Sequence, residues 1–395
     1  MNKSAFIKRF NDIFGKGDHR LFFSPGRINL IGEHIDYNGG YVFPCAITLG
    51  TYALARLRSD REVHLFSENF EEKGVITFSL DQLAYRKEDG WTNYPKGVLA
   101  SLIQRGAAIN LGLDILYRGN IPNQAGLSSS ASIELLTGVI LEKMYHLDID
   151  RLELVKIGQE VENNFIHVNS GIMDQFAVGM GQRDTAMLLD CKTLSYERVP
   201  LVLGEYEIVI MNTNKRRELA DSKYNERRAE CEEALKALQT KLAIHELCDL
   251  TEARFEANQS LIENETVRRR ARHVVTENAR TIKAAEALKK GDLKTFGAFM
   301  NRSHQSLRDD YEVTGKELDT LVETAWKQEG VLGARMTGAG FGGCAIAIVH
   351  RDRAQSFIEA VGRIYRSEIG YDASFYVAEV GDGSKAIEEE EEIQS

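Results

Sequence analysis

Residues 25–40 read PGRINLIGEHIDYNGG, and this stretch guides the interpretation of the whole chain. It places Arg27, Glu33, His34 and Asp36 within ten residues, between turn-forming proline and glycine. Burying such groups in an apolar strand without partners would cost several kcal/mol each. The isoleucines and leucine between the charges alternate as in a short strand that leads into a turn. We therefore expect a loop that lines a polar cavity, in preference to a solvated surface loop.

The composition limits the classes of protein to consider. A chain of 395 residues with 43% hydrophobic content is long enough for two lobes with cores of their own. A net charge of -10 and a pI near 5.5 argue against a general nucleic-acid or anionic-membrane partner, because such partners require clustered Lys and Arg. The basic run at 268–270 is short, and we expect it to form the solvated face of a helix.

The cysteines and the apolar segments indicate the compartment. Five cysteines, without any C-x-x-C pair, predict neither a disulfide framework nor a zinc site, and they fit a reducing cytoplasm. The amino-terminal segment has charges throughout and lacks the apolar core of a signal peptide. No apolar run approaches membrane-spanning length.

Strand-like and helix-like periodicities alternate along the chain, as in α/β or α+β proteins. Short runs rich in Val, Ile, Tyr or Ala predict strands at 52–57, 63–66, 206–211 and 343–349. Helical periodicity predicts an amphipathic helix that starts near Tyr224 and a second helix at 267–289.

Residues 122–132, PNQAGLSSSAS, form a loop of small residues that opens a helix. Small side chains let backbone N–H groups approach an anion, and a helix amino terminus adds unpaired donors and a positive dipole end. The hydroxyls at 128–130 can add hydrogen bonds or a Mg²⁺ ligand. The segment lacks both the Gly-Lys-Ser/Thr of a Walker A loop and G-x-G-x-x-G, so another phosphate-binding design is implied. Taken alone, three serines before a helix could equally be N-caps.

Two further motifs follow. Residues 171–176, GIMDQF, place one aspartate in an apolar frame, after Glu160, Glu162 and His167, and Asp174 is thus a candidate base. Residues 336–344, MTGAGFGGC, have four glycines in six positions and predict a tight loop that a ligand or another backbone approaches closely.

In this order, the four motifs resemble those of the GHMP small-molecule kinases and, among them, of the galactokinases. The resemblance runs nearly end to end and implies an α/β and α+β two-domain GHMP kinase fold, with the active site between the amino- and carboxyl-terminal domains. The implied domains are 1–182, which carries the sugar-binding segment and the phosphate loop, and 183–385, whose last strand can return to the first domain. Residues 386–395 are predicted to form an acidic tail.

The resemblance also implies an activity. It is Mg²⁺-dependent transfer of the ATP γ-phosphate to the anomeric hydroxyl of α-D-galactose, giving galactose 1-phosphate, the first committed step of galactose catabolism. ATP is thus the expected co-substrate and Mg²⁺ the expected metal, in a cytoplasmic enzyme whose substrates are small molecules.

Roles are implied for the residues that match the family motifs. At the chemical step they are Arg27 and Asp174. Around the sugar they are Glu33, His34, Ile35, Asp36, Gly171 and Tyr224. Around ATP they are Ser67, Gln124, Ala125, Gly126, Leu127, Ser128, Ser129 and Ser130. For the metal they are Ser130 and Glu162.

Some alternatives stay open at this point. Gln124 stands where many relatives have glycine, and Ile35 replaces the usual threonine. The same motifs would serve a kinase for N-acetylgalactosamine or arabinose, or a non-catalytic galactose and ATP sensor. The complete serine run and Asp174 favour catalysis over sensing. Residue types alone admit two roles for Asp174, a general base or an electrostatic anchor.

Overall fold

The computed structural model describes residues 2–122, 125–215 and 220–388. In chain order, the strands are β1 Arg20–Asn29, β2 Tyr41–Val42, β3 Pro44–Leu57, β4 Glu62–Ser67, β5 Ile76–Ser79, β6 Leu113–Gly119, β7 Thr185–Asp190, β8 Tyr196–Pro200, β9 Tyr206–Asn212, β10 Val331–Thr337, β11 Cys344–His350, β12 Ser374–Ala378 and β13 Lys385–Ile387. The α-helices are α1 Lys3–Phe14, α2 Asn93–Gln104, α3 Ser129–Met144, α4 Arg151–Glu160, α5 Met173–Met180, α6 Ala220–Gln239, α7 Glu252–Asn258, α8 Glu265–Lys289, α9 Leu293–Ser306, α10 Gly315–Trp326 and α11 Ala354–Ile369.

The amino-terminal half is built on a six-stranded sheet in the order β13-β1-β3-β6-β4-β5. Its pairs are antiparallel except β4 and β6, which run parallel. Helix α3 packs on β1 and β3, with α2, α4 and α5 beside it. On the opposite face, Phe6 and Phe10 of α1 pack against Phe23 and Tyr52. The alternation of side chains along each strand thus fills a hydrophobic layer on both faces.

The carboxyl-terminal half contains a four-stranded antiparallel sheet in the order β10-β11-β9-β12. Successive residues of β11 point to opposite faces. Ile346 and Ile348 share a core with Phe296 and Met300 of α9. Ala345 and Ala347, which alternate with these isoleucines, lie in the core that includes α10 and α11. A smaller sheet, β2-β7-β8, lies against β3 and α8 and thereby contacts both halves.

The chain returns to its first sheet at the end. Strand β13 pairs antiparallel with β1, and Ile387 lies opposite Leu21. Two of its residues, 386 and 387, belong to the stretch predicted as the acidic tail, and residues 389–395 lie outside the described residues. The predicted domain boundaries stay a prediction.

A bulge in β1 brings two motifs together. The pairing of β1 with β3 shifts register between Pro25 and Arg27. A Cβ atom at Gly26 would lie 2.7 Å from the carbonyl oxygen of Leu127, so only glycine lets the serine loop approach this closely. The amide of Arg27 donates to the same carbonyl at 3.1 Å. The bulge therefore aims Arg27 at the amino terminus of α3.

The element predictions are confirmed where the structure describes them. The predicted strands lie within or overlap β3, β4, β9 and β11, and the helix predicted at 267–289 is α8. The prediction for 268–270 is wrong at Arg270, which is 2% exposed and pairs with Glu230 and Glu312. Three successive residues of an α-helix point in directions that span about 200°, so on a helix with one buried side the last of them can face inward, as Arg270 does. Among the described residues, no helix is both long and apolar enough to cross a membrane.

Candidate active site

A cavity of about 240 Å³ lies where the serine loop, the charged turn and the glycine-rich loop meet. Twelve of the residues predicted for the site line it. They are Arg27, Glu33, His34, Asp36, Gly126, Ser128, Ser129, Ser130, Glu162, Gly171, Asp174 and Tyr224. The polar cavity expected from residues 25–40 is thus confirmed.

The centre of the cavity is an ion pair between Arg27 and Asp174. Arg27 Nε donates to Asp174 Oδ1 and Nη2 donates to Oδ2, both at 2.8 Å. The third guanidinium nitrogen, Nη1, donates to the carbonyl of Gly126 at 2.7 Å. The Arg27 side chain is 4% exposed, whereas that of Asp174 is 29% exposed and reaches the cavity. Such a bidentate pair fixes the carboxylate in place and keeps its charge close to the serine loop.

The serine loop does not use its first hydroxyl as a helix cap. Ser128 precedes α3 with a left-handed backbone, φ 64°, and its side chain makes no capping hydrogen bond. Its hydroxyl instead donates to Asp174 Oδ2 at 2.5 Å. The N-cap interpretation therefore fails for Ser128. Ser129 and Ser130, the first two residues of α3, line the cavity, and the amino terminus of a helix offers unpaired N–H groups to an anion.

Asp36 and Gly171 fit together at one side of the cavity. A Cβ atom at Gly171 would lie 1.8 Å from Asp36 Oδ2, so any other residue there would displace the carboxylate. Burial, and then the charge of Asp174, raises the pKa of Asp36 to about 6. Asp36 is therefore a carboxyl group whose charge depends on pH in the range where enzymes work.

Glu33 joins the charged turn to the glycine-rich loop. Its Oε1 accepts from the amide of Gly338 at 2.7 Å and lies 3.4 Å from Arg335 Nη1. Burial raises the pKa of the Glu33 carboxyl, and the nearby Arg335 and Arg27 oppose this shift. Arg335 is fully buried and also lies 4.0 Å from Glu277. The buried charges of Glu33, Arg335 and Glu277 therefore compensate one another beside the cavity.

His34 and Tyr224 form an aromatic wall. Their ring centroids are 5.4 Å apart, and Tyr37 lies 5.4 Å from Tyr224. Burial lowers the pKa of His34 to about 3, so the imidazole is neutral. Nε2 of His34 lies 3.0 Å from the carbonyl oxygen of Ala339, and Nδ1 lies 2.9 Å from Tyr37 Oη.

Ser130 and Glu162 stand close together as a pair of oxygen donors. Burial raises the pKa of Glu162, and the hydroxyls of Ser170 and Ser130 beside it oppose the shift. A hydroxyl and a carboxylate are the hard oxygen ligands that Mg²⁺ accepts, with water and phosphate oxygens completing the shell. The donor set fits the ion. Within the described residues, no cluster of three His, Cys, Asp or Glu residues could hold a metal by itself.

A second cavity of about 180 Å³ shares Ser129 and Ser130 with the first. It is lined on its far side by aromatic rings, among which Phe70 and Trp91 are stacked with centroids 6.5 Å apart and planes 18° apart. Ser67, which was predicted to lie near the nucleotide, is among the residues that line this second cavity. The two cavities thus flank the amino terminus of α3, one polar and one aromatic.

Three predicted residues lie elsewhere. Ile35, Ala125 and Leu127 are buried in the hydrophobic cores. Ile35 accepts two backbone hydrogen bonds, from Asn38 and Gly40, and so shapes the turn. Gln124 lies outside the described residues.

The structure adds cavity residues that the sequence analysis did not name individually. In the first cavity these are Val168, Ser170, Met173, Gly338 and Ala339. In the second they are Thr51, Asn69, Phe70, Trp91, Tyr94, Tyr117, Gly119, Ile121 and Ile133. The glycine run at 338–343 was a usable signal for two of them. The aromatic rings of the second cavity come from two separate 3₁₀ turns, α2 and β6, and no local pattern marks them.

Family signatures match three parts of the chain. The galactokinase galactose-binding signature matches residues 8–57. The GHMP kinase N-terminal domain matches residues 93–182, and the GHMP kinase C-terminal domain matches residues 284–367. The first contains the charged turn, and the second contains both the serine loop and Asp174.

Whole-chain comparisons agree with the signatures. The galactokinase of Lactiplantibacillus plantarum is 59% identical over 98% of this chain and all of its own length, and that of Clostridium perfringens is 60% identical over 96% and 97%. The crystal structure of Lactococcus lactis galactokinase complexed with galactose superposes with a TM-score of 0.96, at 56% identity, over 97% of this chain and 99% of its own. Methanococcus jannaschii mevalonate kinase shares only the fold, at 18% identity and a TM-score of 0.67 over 93% of this chain and all of its own. With its cavity built from the matched segments, the chain belongs to the galactokinase family of the GHMP kinases.

Proposed function

We propose that this chain transfers the γ-phosphoryl group of ATP to the anomeric hydroxyl of α-D-galactose, giving galactose 1-phosphate. The observation that carries the proposal is the Arg27–Asp174 pair, held against the serine loop in a cavity open to ligands. Phosphoryl transfer depends on alignment and charge neutralisation more than on covalent participation, and this cavity offers both.

Asp174 binds the attacking hydroxyl. A carboxylate offers about four acceptor sites, and Arg27 and Ser128 occupy three of them on Asp174. The remaining site accepts the hydrogen of the anomeric hydroxyl and orients its oxygen toward the phosphorus. Arg27 holds both oxygens of the carboxylate in place and stabilises the charge that develops on the transferring group.

Glu33, Asp36, Gly171 and Tyr224 form the sugar subsite in this proposal. Carboxylates that accept from sugar hydroxyls discriminate strongly, because an unmatched hydroxyl leaves a buried polar group unpaired. Gly171 contributes through the space that it leaves for Asp36.

ATP lies across the two cavities, with its triphosphate at Gly126 through Ser130 and its base between the aromatic rings of the second cavity. Ser130 and Glu162 would hold Mg²⁺, which supplies neutralisation of phosphate charge when bound. Five free cysteines support a reducing, cytoplasmic location.

The test is ATP-dependent ADP release with galactose, N-acetylgalactosamine, glucose and arabinose, each with and without magnesium. Magnesium-dependent turnover with galactose as the best substrate is expected. If another sugar is the preferred substrate, galactose is wrong as the proposed substrate. If no sugar supports ADP release but galactose still binds, the protein is a sensor.

A further inference from the structure

A chain of hydrogen bonds runs from the glycine-rich loop through His34 into the core. Its members are Ala339, His34, Tyr37, Tyr311 and Cys231, in that order. The distances along it are 3.0, 2.9, 2.8 and 3.1 Å. Four separate segments of the polypeptide therefore meet along one line of hydrogen-bonded atoms.

The carbonyl at one end of this chain fixes the direction of every bond. The carbonyl of Ala339 can only accept, so His34 Nε2 carries the hydrogen. In the neutral ring Nδ1 is then an acceptor, and Tyr37 donates to it. The Tyr37 oxygen accepts from Tyr311, which leaves the Tyr311 oxygen to accept from the thiol of Cys231.

Three side chains of this hydrogen-bond chain are buried, and this burial lets the chain select one tautomer of His34. Tyr311 is fully buried, Cys231 is 2% exposed and His34 is 4% exposed. In the opposite tautomer of His34, a lone pair of Nε2 would face the carbonyl oxygen of Ala339. Two buried acceptors would then lack a hydrogen bond, which costs free energy. Both ring nitrogens are occupied, so the ring offers neither of them to a sugar hydroxyl.

The glycine-rich loop, whose Ala339 carbonyl accepts from His34, also lies close to Glu33, Arg27 and the serine loop. Gly338 donates to Glu33, and a Cβ atom at Gly338 would lie 2.9 Å from the Gly126 carbonyl oxygen and 3.8 Å from Arg27 Nη2. The position of Ala339 therefore sets how closely the glycine-rich loop approaches Arg27 and the phosphate loop.

We propose that His34 is a positioning residue, held as the Nε2–H tautomer by Tyr37, Tyr311 and Cys231, and that it fastens the glycine-rich loop over the site of phosphoryl transfer. This inference rests on the proposed function and replaces direct sugar contact as the role of the His34 ring. Its loss affects the chemical step more than the binding of galactose.

The test is Tyr37→Phe, which keeps the ring and removes the donor to His34 Nδ1. We expect kcat to fall roughly 5- to 100-fold, the effect of leaving one buried acceptor unpaired, while the galactose Kd from calorimetry stays unchanged. Tyr145→Phe is the matched control, because its hydroxyl donates to Leu111 away from the site, and its kcat should stay normal. Normal kcat in Tyr37→Phe, or a galactose Kd weakened as much as kcat/KM, would overturn the inference.

A second measurement needs no variant. The imidazole ¹⁵N spectrum of the wild-type protein should show His34 with a protonated Nε2 and an unprotonated Nδ1, assigned by loss of its signals in His34→Gln. The opposite tautomer would overturn the inference even in an active enzyme. Absent galactose turnover in the wild type would instead refute the proposed function, and the spectrum would still report the tautomer.

Discussion

Arg27 binds both carboxylate oxygens of Asp174, which lies 147 positions further along the chain. The pair joins the bulged first strand to the first turn of α5, and Gly126 and Ser128 of the phosphate loop attach to the same two side chains. The proposed acceptor of the sugar hydroxyl and the proposed cradle for phosphate are therefore held by one group of hydrogen bonds.

Asp174→Asn is expected to lower kcat by about 10²- to 10⁴-fold, because the amide has lost the charge that attracts the hydroxyl proton. Galactose binding should stay measurable by calorimetry, since Glu33 and Asp36 are unchanged. Turnover at the wild-type rate in this variant would refute the assigned role.

Arg27→Ala should lower kcat by about 10²- to 10³-fold, more than it weakens the galactose Kd, because the guanidinium stabilises charge that develops during transfer. Arg27→Lys tests geometry separately from charge, since lysine cannot make the bidentate pair. Steady-state kinetics and calorimetry on both variants distinguish the cases. A defect confined to affinity would contradict this assignment.

Galactose affinity should depend on pH through Asp36. In the free protein its pKa is about 6, raised by burial and by Asp174. Sugar hydroxyls donate to the charged form, so binding lowers this pKa and releases a proton. The Kd should therefore rise as pH falls through about 6, by up to about tenfold for each further unit. Calorimetry between pH 5 and 8 checks this, and in Asp36→Asn this dependence should disappear.

Gly171→Ala should raise the KM for galactose roughly 5- to 100-fold, the usual effect of forcing an extra methyl into a packed site, because the new Cβ would collide with Asp36. Gly381→Ala is the matched control, since a Cβ there meets its neighbours at 3.4 Å or more. An unchanged KM in Gly171→Ala would show that galactose binding does not require the Asp36 carboxylate at its present position.

Arg335→Met should destabilise the protein by about 3–5 kcal/mol, because Glu33 and Glu277 would stay buried without their shared cation. A lower melting temperature in scanning calorimetry is the expected result. Arg366→Met removes an exposed pair with Asp372 and should leave the melting temperature close to that of the wild type, because solvent screens such a pair. Equal melting temperatures for the two variants would contradict the argument.

Local patterns were sufficient for several elements. Apolar periodicity predicted α8 and the strands that overlap β9 and β11, because both structures repeat over a few residues. The same reasoning failed at Arg270, whose burial depends on Glu230 and Glu312 from other parts of the chain. The resemblance to the family motif implies a place around the sugar for Ile35, whereas its side chain lies in the hydrophobic core.

The sequence by itself determined the chemical inventory: a charged turn, a serine loop at a helix start, one aspartate in an apolar frame and a glycine-rich loop. These are properties of short segments, set by side-chain type and backbone preference. Tertiary structure decided that Arg27 meets Asp174, that Glu33 meets Gly338 across 305 positions, and that Phe70 and Trp91 stack beside the serine loop. Contacts across such separations follow from sheet pairing and core packing, which no short segment specifies.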